Sequence, residues 1–346
     1  MSTVRFPAPL RPGDRLGVTA PSAGVNAALR PRMDFAVRTL EKRGYDVTVG
    51  DCMNGDGHVS APLADRRDEL TAMLLDPRVR AVVPPRGGSV AIDLLSALDW
   101  DAIRAAEPTW LCGYSDISTI LLPFTLLTGV ATVHGSNLLD TPYEPAPGLM
   151  SWLDVAESPG GAAFTQTSPG RYHNGGGPPE WSARPEATAI DYESAGSWRL
   201  LNGGSDGEVR LTGRLLGGCV ETLGNLAGTP YGDTSAFAER HAPEGLLVYV
   251  EVAGAEADEA CRTLHGMRLA GFFERATGIL VGRTAAPSIP TLTQDEAVLD
   301  ALGSVGVPII ADVECGHVPP TMPFVNGARA TVVLAGGAGR ITQTLA

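Results

Sequence analysis

The chain has 346 residues, 44% of them hydrophobic, and a formal net charge of −13. That length predicts two domains, because one hydrophobic core seldom grows past about 250–300 residues. The acidic balance argues against binding nucleic acid or anionic membranes through a general basic surface, although a nucleotide-like small molecule needs only a local site.

No apolar run reaches the roughly 18–20 residues of a membrane span, and no signal-peptide core precedes the first expected strand. The five cysteines are far apart and form no Cys-x-x-Cys pair. They fit reduced thiols in a cytoplasmic protein, not a disulfide framework or a zinc site.

In chain order, residues 15–20 read as a strand, 27–43 as a helix stopped by Gly44, 45–49 as a strand and 65–75 as a helix. A strand over 79–83, a short helix over 90–98 and a strand over 109–112 follow. A helix over 115–127 and a strand over 131–134 complete the alternation. The pattern predicts an N-terminal α/β domain over 1–145, with a parallel Rossmann-like sheet and helices on both faces. In such sheets the site lies beyond the carboxyl ends of the strands.

From 142 to about 185 the chain turns rich in Pro, Gly, Ser and Asn. Residues 146–212 therefore read as a linker and substrate-binding loop. Trp152, Trp181 and Trp198 stand out there, either as anchors to a domain or as an aromatic platform for a flat ligand. Residues 213–346 read as a smaller C-terminal α/β domain with a mixed sheet. In it Gly217-Gly218 precedes a helix over 220–226, and strands over 246–252, 276–281 and 308–313 alternate with helices over 257–270 and 295–303. An antiparallel pair over 328–345 closes the chain.

Gly113-Tyr114-Ser115-Asp116 ends one apolar run and opens an amphipathic one. A serine at a strand-to-helix turn can expose a nucleophilic hydroxyl beside the amides of the first helical turn; it can equally be a helix N-cap. The second glycine of Gly-x-Ser-x-Gly is absent. Arg86-Gly87-Gly88 follows a strand, and its glycines let a backbone N–H approach a ligand. No Walker or dinucleotide-binding glycine pattern occurs at this point, so an NAD or ATP site is poorly supported. His317 lies just past an expected strand in a Gly-Pro-rich loop, suited to proton transfer, and His134, which also ends a strand, is its rival. Glu251 ends the run Leu246-Leu247-Val248-Tyr249-Val250, where a carboxylate can orient an imidazole. Neither His-x-x-x-His nor Cys-x-x-Cys occurs, so no metal and no cofactor is expected.

In order and spacing these motifs resemble the S66 serine peptidase family, the LD-carboxypeptidases and microcin C7 self-immunity hydrolases. The resemblance rests on Thr19-Ala20-Pro21-Ser22, Arg86-Gly87-Gly88, Gly113-Tyr114-Ser115-Asp116, Gly217-Gly218, Glu251 and Gly316-His317. It implies a Ser115–His317–Glu251 triad, an oxyanion hole from the Gly88 and Asp116 amides, and a homodimer acting on a small molecule. Val90 replaces the last glycine of Arg-Gly-Gly-x-Gly, and Val252 replaces the aspartate that often follows the triad glutamate. The long 142–212 segment brings the chain nearer the self-immunity branch, where a loop tryptophan, matched here to Trp181, stacks on adenine. The implied reaction is hydrolysis of an aminoacyl- or peptidyl-nucleotide. The alternatives are removal of D-alanine from muropeptide tetrapeptides, or a non-catalytic binding protein on the same fold.

Overall fold

Strands buried on both faces send alternate side chains into two cores, and the first sheet does so. Trp110 and Cys112 enter one core with Met33, Ala36 and Leu40 of helix Arg30–Lys42. Leu111 and Val82 enter another with Leu70 and Leu74 of helix Leu63–Leu75. The computed structural model describes residues 3–175, 181–203 and 207–346.

The first sheet runs Phe324–Asn326, Thr132–His134, Trp110–Gly113, Val79–Val82, Arg15–Val18, Asp46–Val49. Its five N-terminal strands are parallel, as expected from the βαβ alternation. The sixth, Phe324–Asn326, comes from near the C-terminus and pairs antiparallel, Phe324 opposite His134.

The second sheet is mixed. Val209–Cys219, Leu246–Glu251, Ala276–Gly282 and Ile309–Val313 run parallel. Arg329–Ala335 and Ala338–Thr344 form the expected antiparallel pair beside them. Helices Ala257–Leu269 and Gln294–Leu302 cover one face of this sheet through Leu264, Met267 and Ala301.

Three differences from the sequence reading have physical causes. Gly217 and Gly218 do precede a helix, Val220–Leu223, but they do so inside a long strand, Val209–Cys219, that the sequence reading does not include. A Cβ at Gly217 would lie 1.8 Å from the Tyr249 carbonyl, and one at Gly218 would lie 2.8 Å from Ser118 Cβ, so the pair marks a close approach of chains. The segment read as a linker supplies edge strands on both sides of the second sheet, Ala163–Thr167 and Arg199–Leu200. It also holds helix Trp152–Glu157, opened by a reciprocal Ser151/Asp154 capping box. The expected helix over 90–98 is a single 3-10 turn, Ala91–Leu94.

Asn326 welds the sheets together. Its amide nitrogen donates to Thr132 Oγ1, while its oxygen accepts from Tyr249 Oη at 2.7 Å and from the Gly217 amide. The return strand thus fixes the preceding loop, residues 314–323, across the carboxyl ends of the first sheet. Among the described residues no helix is long and apolar enough to cross a membrane.

Candidate active site

Ser115 sits where strand Trp110–Gly113 passes into a 3-10 turn and then helix Ser118–Thr128. Its φ is +63°, a left-handed conformation that costs a non-glycine residue on the order of 1 kcal/mol or more. The turn is pinned on several sides. A Cβ at Gly87 would fall 2.8 Å from Ser115 Oγ, so only glycine fits opposite the hydroxyl. Asp116 is buried, and its Oδ2 accepts from Ser22 Oγ at 2.5 Å and from the Ala91 amide at 2.9 Å. One carboxylate thereby ties the Pro21-Ser22 turn, the Arg86-Gly87-Gly88 loop and the serine turn into one assembly.

The Gly87 carbonyl accepts from the Ala23 amide. Because a trans peptide points its C=O and N–H in opposite directions, the Gly88 N–H faces away from Ala23. Neither the Gly88 nor the Asp116 amide donates to backbone outside the regular elements. Both belong to turns that meet at Ser115.

The second sheet brings Glu251 and His317. Glu251 ends its strand fully buried, and its Oε2 lies 2.8 Å from His317 Nδ1. Two glycines close around that carboxylate. A Cβ at Gly282 would meet Glu251 Cβ at 2.7 Å, and one at Gly316, where φ is +101°, would meet Oε2 at 2.4 Å. The His317 loop is closed at its base by the Met322 amide donating to the Glu314 carbonyl. Beneath it the buried Glu314 carboxylate accepts from Ser168 Oγ and Trp198 Nε1. Burial pushes the His317 imidazole down, but the negative charges of Glu251, Glu221 and Asp140 outweigh it and hold its pKa above the usual value. No hydrogen bond joins Ser115 to His317 among the described residues; the two halves meet through Tyr114, whose ring lies 5.0 Å from that of His317.

His134 is placed quite differently. It is fully buried between Tyr114 and Tyr249, and burial pushes its pKa down to about 4. It stays neutral, with Nδ1 3.8 Å from Cys315 Sγ.

The cleft beside His317 is lined by Tyr114, Asp140 and Tyr143 from the N-terminal part of the chain and by Trp152 and Tyr192 from the middle segment. Trp181 is not among its lining residues; it packs half-buried against the main core. Trp198 is buried on Glu314, and Trp152 is buried with Nε1 donating to Thr141 Oγ1. Sequence reasoning missed Asp140, a buried carboxyl that burial raises to about 7 against the opposing pull of Arg32, the Asn137 amide, the Tyr114 hydroxyl and His317. It also missed Glu221, which accepts from the Ala253, Gly254 and Ala255 amides and so shapes the chain just after Glu251. A three-residue 3-10 turn gives Asp140 no periodic signal, and the loop that Glu221 caps lies 32 residues or more further along the chain.

Residues 16–135 match the family model for the LD-carboxypeptidase N-terminal domain, and 212–332 that for its C-terminal domain. A Streptomyces coelicolor protein with a provisional carboxypeptidase name is 29% identical over 326 residues, 92% of this chain and 90% of that one. The murein tetrapeptide carboxypeptidase of Pseudomonas aeruginosa is 27% identical over 247 residues, 69% of this chain and 66% of that one. In fold the chain is similar to the microcin C7 self-immunity protein MccF in complex with aspartyl sulfamoyl adenosine, with a TM-score of 0.80, 20% identity and 98% of each chain covered. With both of its domain models matched in order across the two sheets just described, the chain belongs to the S66 peptidase family.

Proposed function

We propose that the protein is a serine hydrolase in which Ser115 attacks an amide-type carbonyl, His317 carries the proton and Glu251 orients the imidazole. Family membership and the carboxypeptidase names of its relatives support hydrolase activity. The observation that carries the roles is the 2.8 Å bond from His317 to the buried Glu251, in a loop laid over the strained Ser115 turn. Contacts between nucleophile and base in ligand-free enzymes commonly tighten only once substrate is bound. In this reading residues 1–145 supply the nucleophile, 146–212 the substrate-binding connection, and 213–346 the glutamate and histidine.

As Ser115 Oγ adds to the carbonyl, its proton passes to His317 Nε2, and Glu251 stabilises the imidazolium. The Gly88 and Asp116 amides receive the oxyanion, each contributing about 3–4 kcal/mol to the barrier reduction. His317 then protonates the leaving group, and water releases the acyl-enzyme by the reverse relay. No step needs a cofactor.

For substrate we favour an aminoacyl- or peptidyl-nucleotide joined through an acyl-sulfamate or phosphoramidate. The four aromatic side chains around the cleft suit a flat base. Trp181 is the residue we assign to stacking on it, which requires the 181–192 segment to turn toward the cleft. A second reading, release of D-alanine from a muropeptide tetrapeptide, is supported by the Pseudomonas relative. A homodimer is part of the same proposal, and light scattering in solution checks it.

The test incubates the protein and its Ser115→Ala variant with an aminoacyl-sulfamoyl adenosine and with a murein tetrapeptide, following products by mass spectrometry. We expect cleavage of the nucleotide by the native protein only. Faster turnover of the tetrapeptide selects the second reading, and turnover of neither favours a binding protein. Cleavage surviving in Ser115→Ala removes the nucleophile. Undiminished nucleotide turnover in Trp181→Ala removes the stacking role.

A further inference from the structure

Outside the residues that line the cleft, a second group of chemically apt side chains lies between two helices. Cys261 and His265 are four residues apart on helix Ala257–Leu269, so they share one face. Asp300 faces them from helix Gln294–Leu302. One ligating atom from each lies within 4.8 Å of the other two. Cys261 Sγ is 3.9 Å from Asp300 Oδ2, and His265 Nε2 is 3.5 Å from Asp300 Oδ1. Because the pair is a mixed Cys-x-x-x-His, a search for His-x-x-x-His or Cys-x-x-Cys passes over it.

We propose that Cys261, His265 and Asp300 form a binding site for a thiophilic first-row divalent cation such as Zn²⁺, which clips the two helices together.

The distances suit such an ion. With bonds of about 2.3 Å to sulfur and 2.0–2.1 Å to nitrogen or oxygen, a tetrahedral site has ligand–ligand edges of about 3.3–3.6 Å. Closing the cluster from separations of at most 4.8 Å takes about 1 Å, within the reach of rotations of the Asp300 and His265 side chains. The donor set of thiolate, imidazole and carboxylate selects zinc or cobalt over magnesium or calcium. Asp300 is 64% exposed and His265 33%, which leaves an entry path and a fourth position for water. Cys261 itself is 9% exposed, and the neighbouring Asp258 keeps a buried Oδ1 without a hydrogen-bond partner.

One group opposes the ion. Arg268 Nη2 lies 3.3 Å from His265 Nδ1, so the ring now accepts there and carries its proton on Nε2. Metal binding moves that proton to Nδ1 and turns the guanidinium away. A bound cation takes the place of the Cys261 thiol proton, so binding releases a proton and strengthens as pH rises.

The test is titration of the full-length protein with Co²⁺, then with competing Zn²⁺. We expect one equivalent to give a thiolate-to-cobalt charge-transfer band and a tetrahedral visible spectrum, bleached by zinc. Cys261→Ser should abolish the charge-transfer band, and Asp300→Asn, at an exposed position, should weaken affinity about 10- to 100-fold. Arg268→Ala should tighten binding about tenfold by removing the opposing cation. Zn²⁺ should raise the melting temperature of the native protein and not of Cys261→Ser. A stoichiometric band that persists in Cys261→Ser, or the absence of any band in the native protein, overturns the site.

Discussion

His134 ends a strand and His317 lies four residues past the end of another, each lies near Glu251, and each meets the ring of Tyr114. Their environments divide them. Among the described residues no carboxylate lies within hydrogen-bond range of His134, and full burial keeps it neutral. His317 is only partly buried; it holds Glu251 at 2.8 Å and keeps its side chain 23% exposed. The lesson is that strand-end position is common to both, whereas a buried, bonded carboxylate and an open face belong to one. A histidine becomes a usable base when its charged form is stabilised and its second nitrogen can reach a substrate.

The sharpest attempt to break this comparison is to delete each ring. His317→Ala should lower kcat by about 10⁴–10⁶ with little loss of stability. His134→Gln should keep kcat within about tenfold while costing roughly 1–3 kcal/mol of stability by disturbing a packed interior. Steady-state kinetics with chemical denaturation on the same samples would show it, and the reverse pattern would exchange their roles.

Next comes Glu251→Gln, which leaves a bond to His317 but not the charge. We expect kcat to fall about 10³–10⁴ through the wrong tautomer. The pH profile should move as well. His317 must be neutral to accept a proton, and its pKa is raised, so native activity should fall away as pH drops through a value above 6.5. Without the Glu251 charge that acid limb should shift to lower pH; an unmoved limb would detach it from this pair.

Stability gives an opposite signature for the two rings. The folded pKa of His134 is depressed to about 4 from the usual 6.5. The stability from holding it neutral is therefore present above pH 6.5 and is lost as pH falls toward 4, on the order of 3 kcal/mol. His317, with a raised folded pKa, adds stability below 6.5 that is lost as pH rises through its folded value. Denaturation across pH in the native protein and in His134→Gln should show the acid-side loss only in the former.

The smallest expected effect is Ser22→Ala. It removes one hydrogen bond to Asp116 and should cost about 1–2 kcal/mol of stability, with a modest fall in kcat as the serine turn loosens. Equal stability of native and variant proteins in urea would remove Ser22 from the assembly.

Much of this was legible in the sequence. Period and punctuation placed the strands that end at Gly113, Glu251 and Val313, and hence the positions from which Ser115, Glu251 and His317 project. Neither the three-residue strand Phe324–Asn326 nor its pairing with Thr132–His134 was legible, because so short a segment has no period and its partner lies far away in sequence. Nothing in the sequence marks Gly282 and Gly316 as positions whose requirement is the volume of the Glu251 side chain. The capping box at Ser151 and Asp154 was a local signal for helix Trp152–Glu157 that the surrounding Pro and Gly obscured.

The most direct measurement is covalent labelling by a serine-directed phosphonate, with the site mapped by peptide mass spectrometry and the rate followed by intact mass. The account predicts one adduct, on Ser115, formed at the native rate in His134→Gln and several orders of magnitude more slowly in His317→Ala. An adduct on another residue, or native-rate labelling without His317, would contradict it.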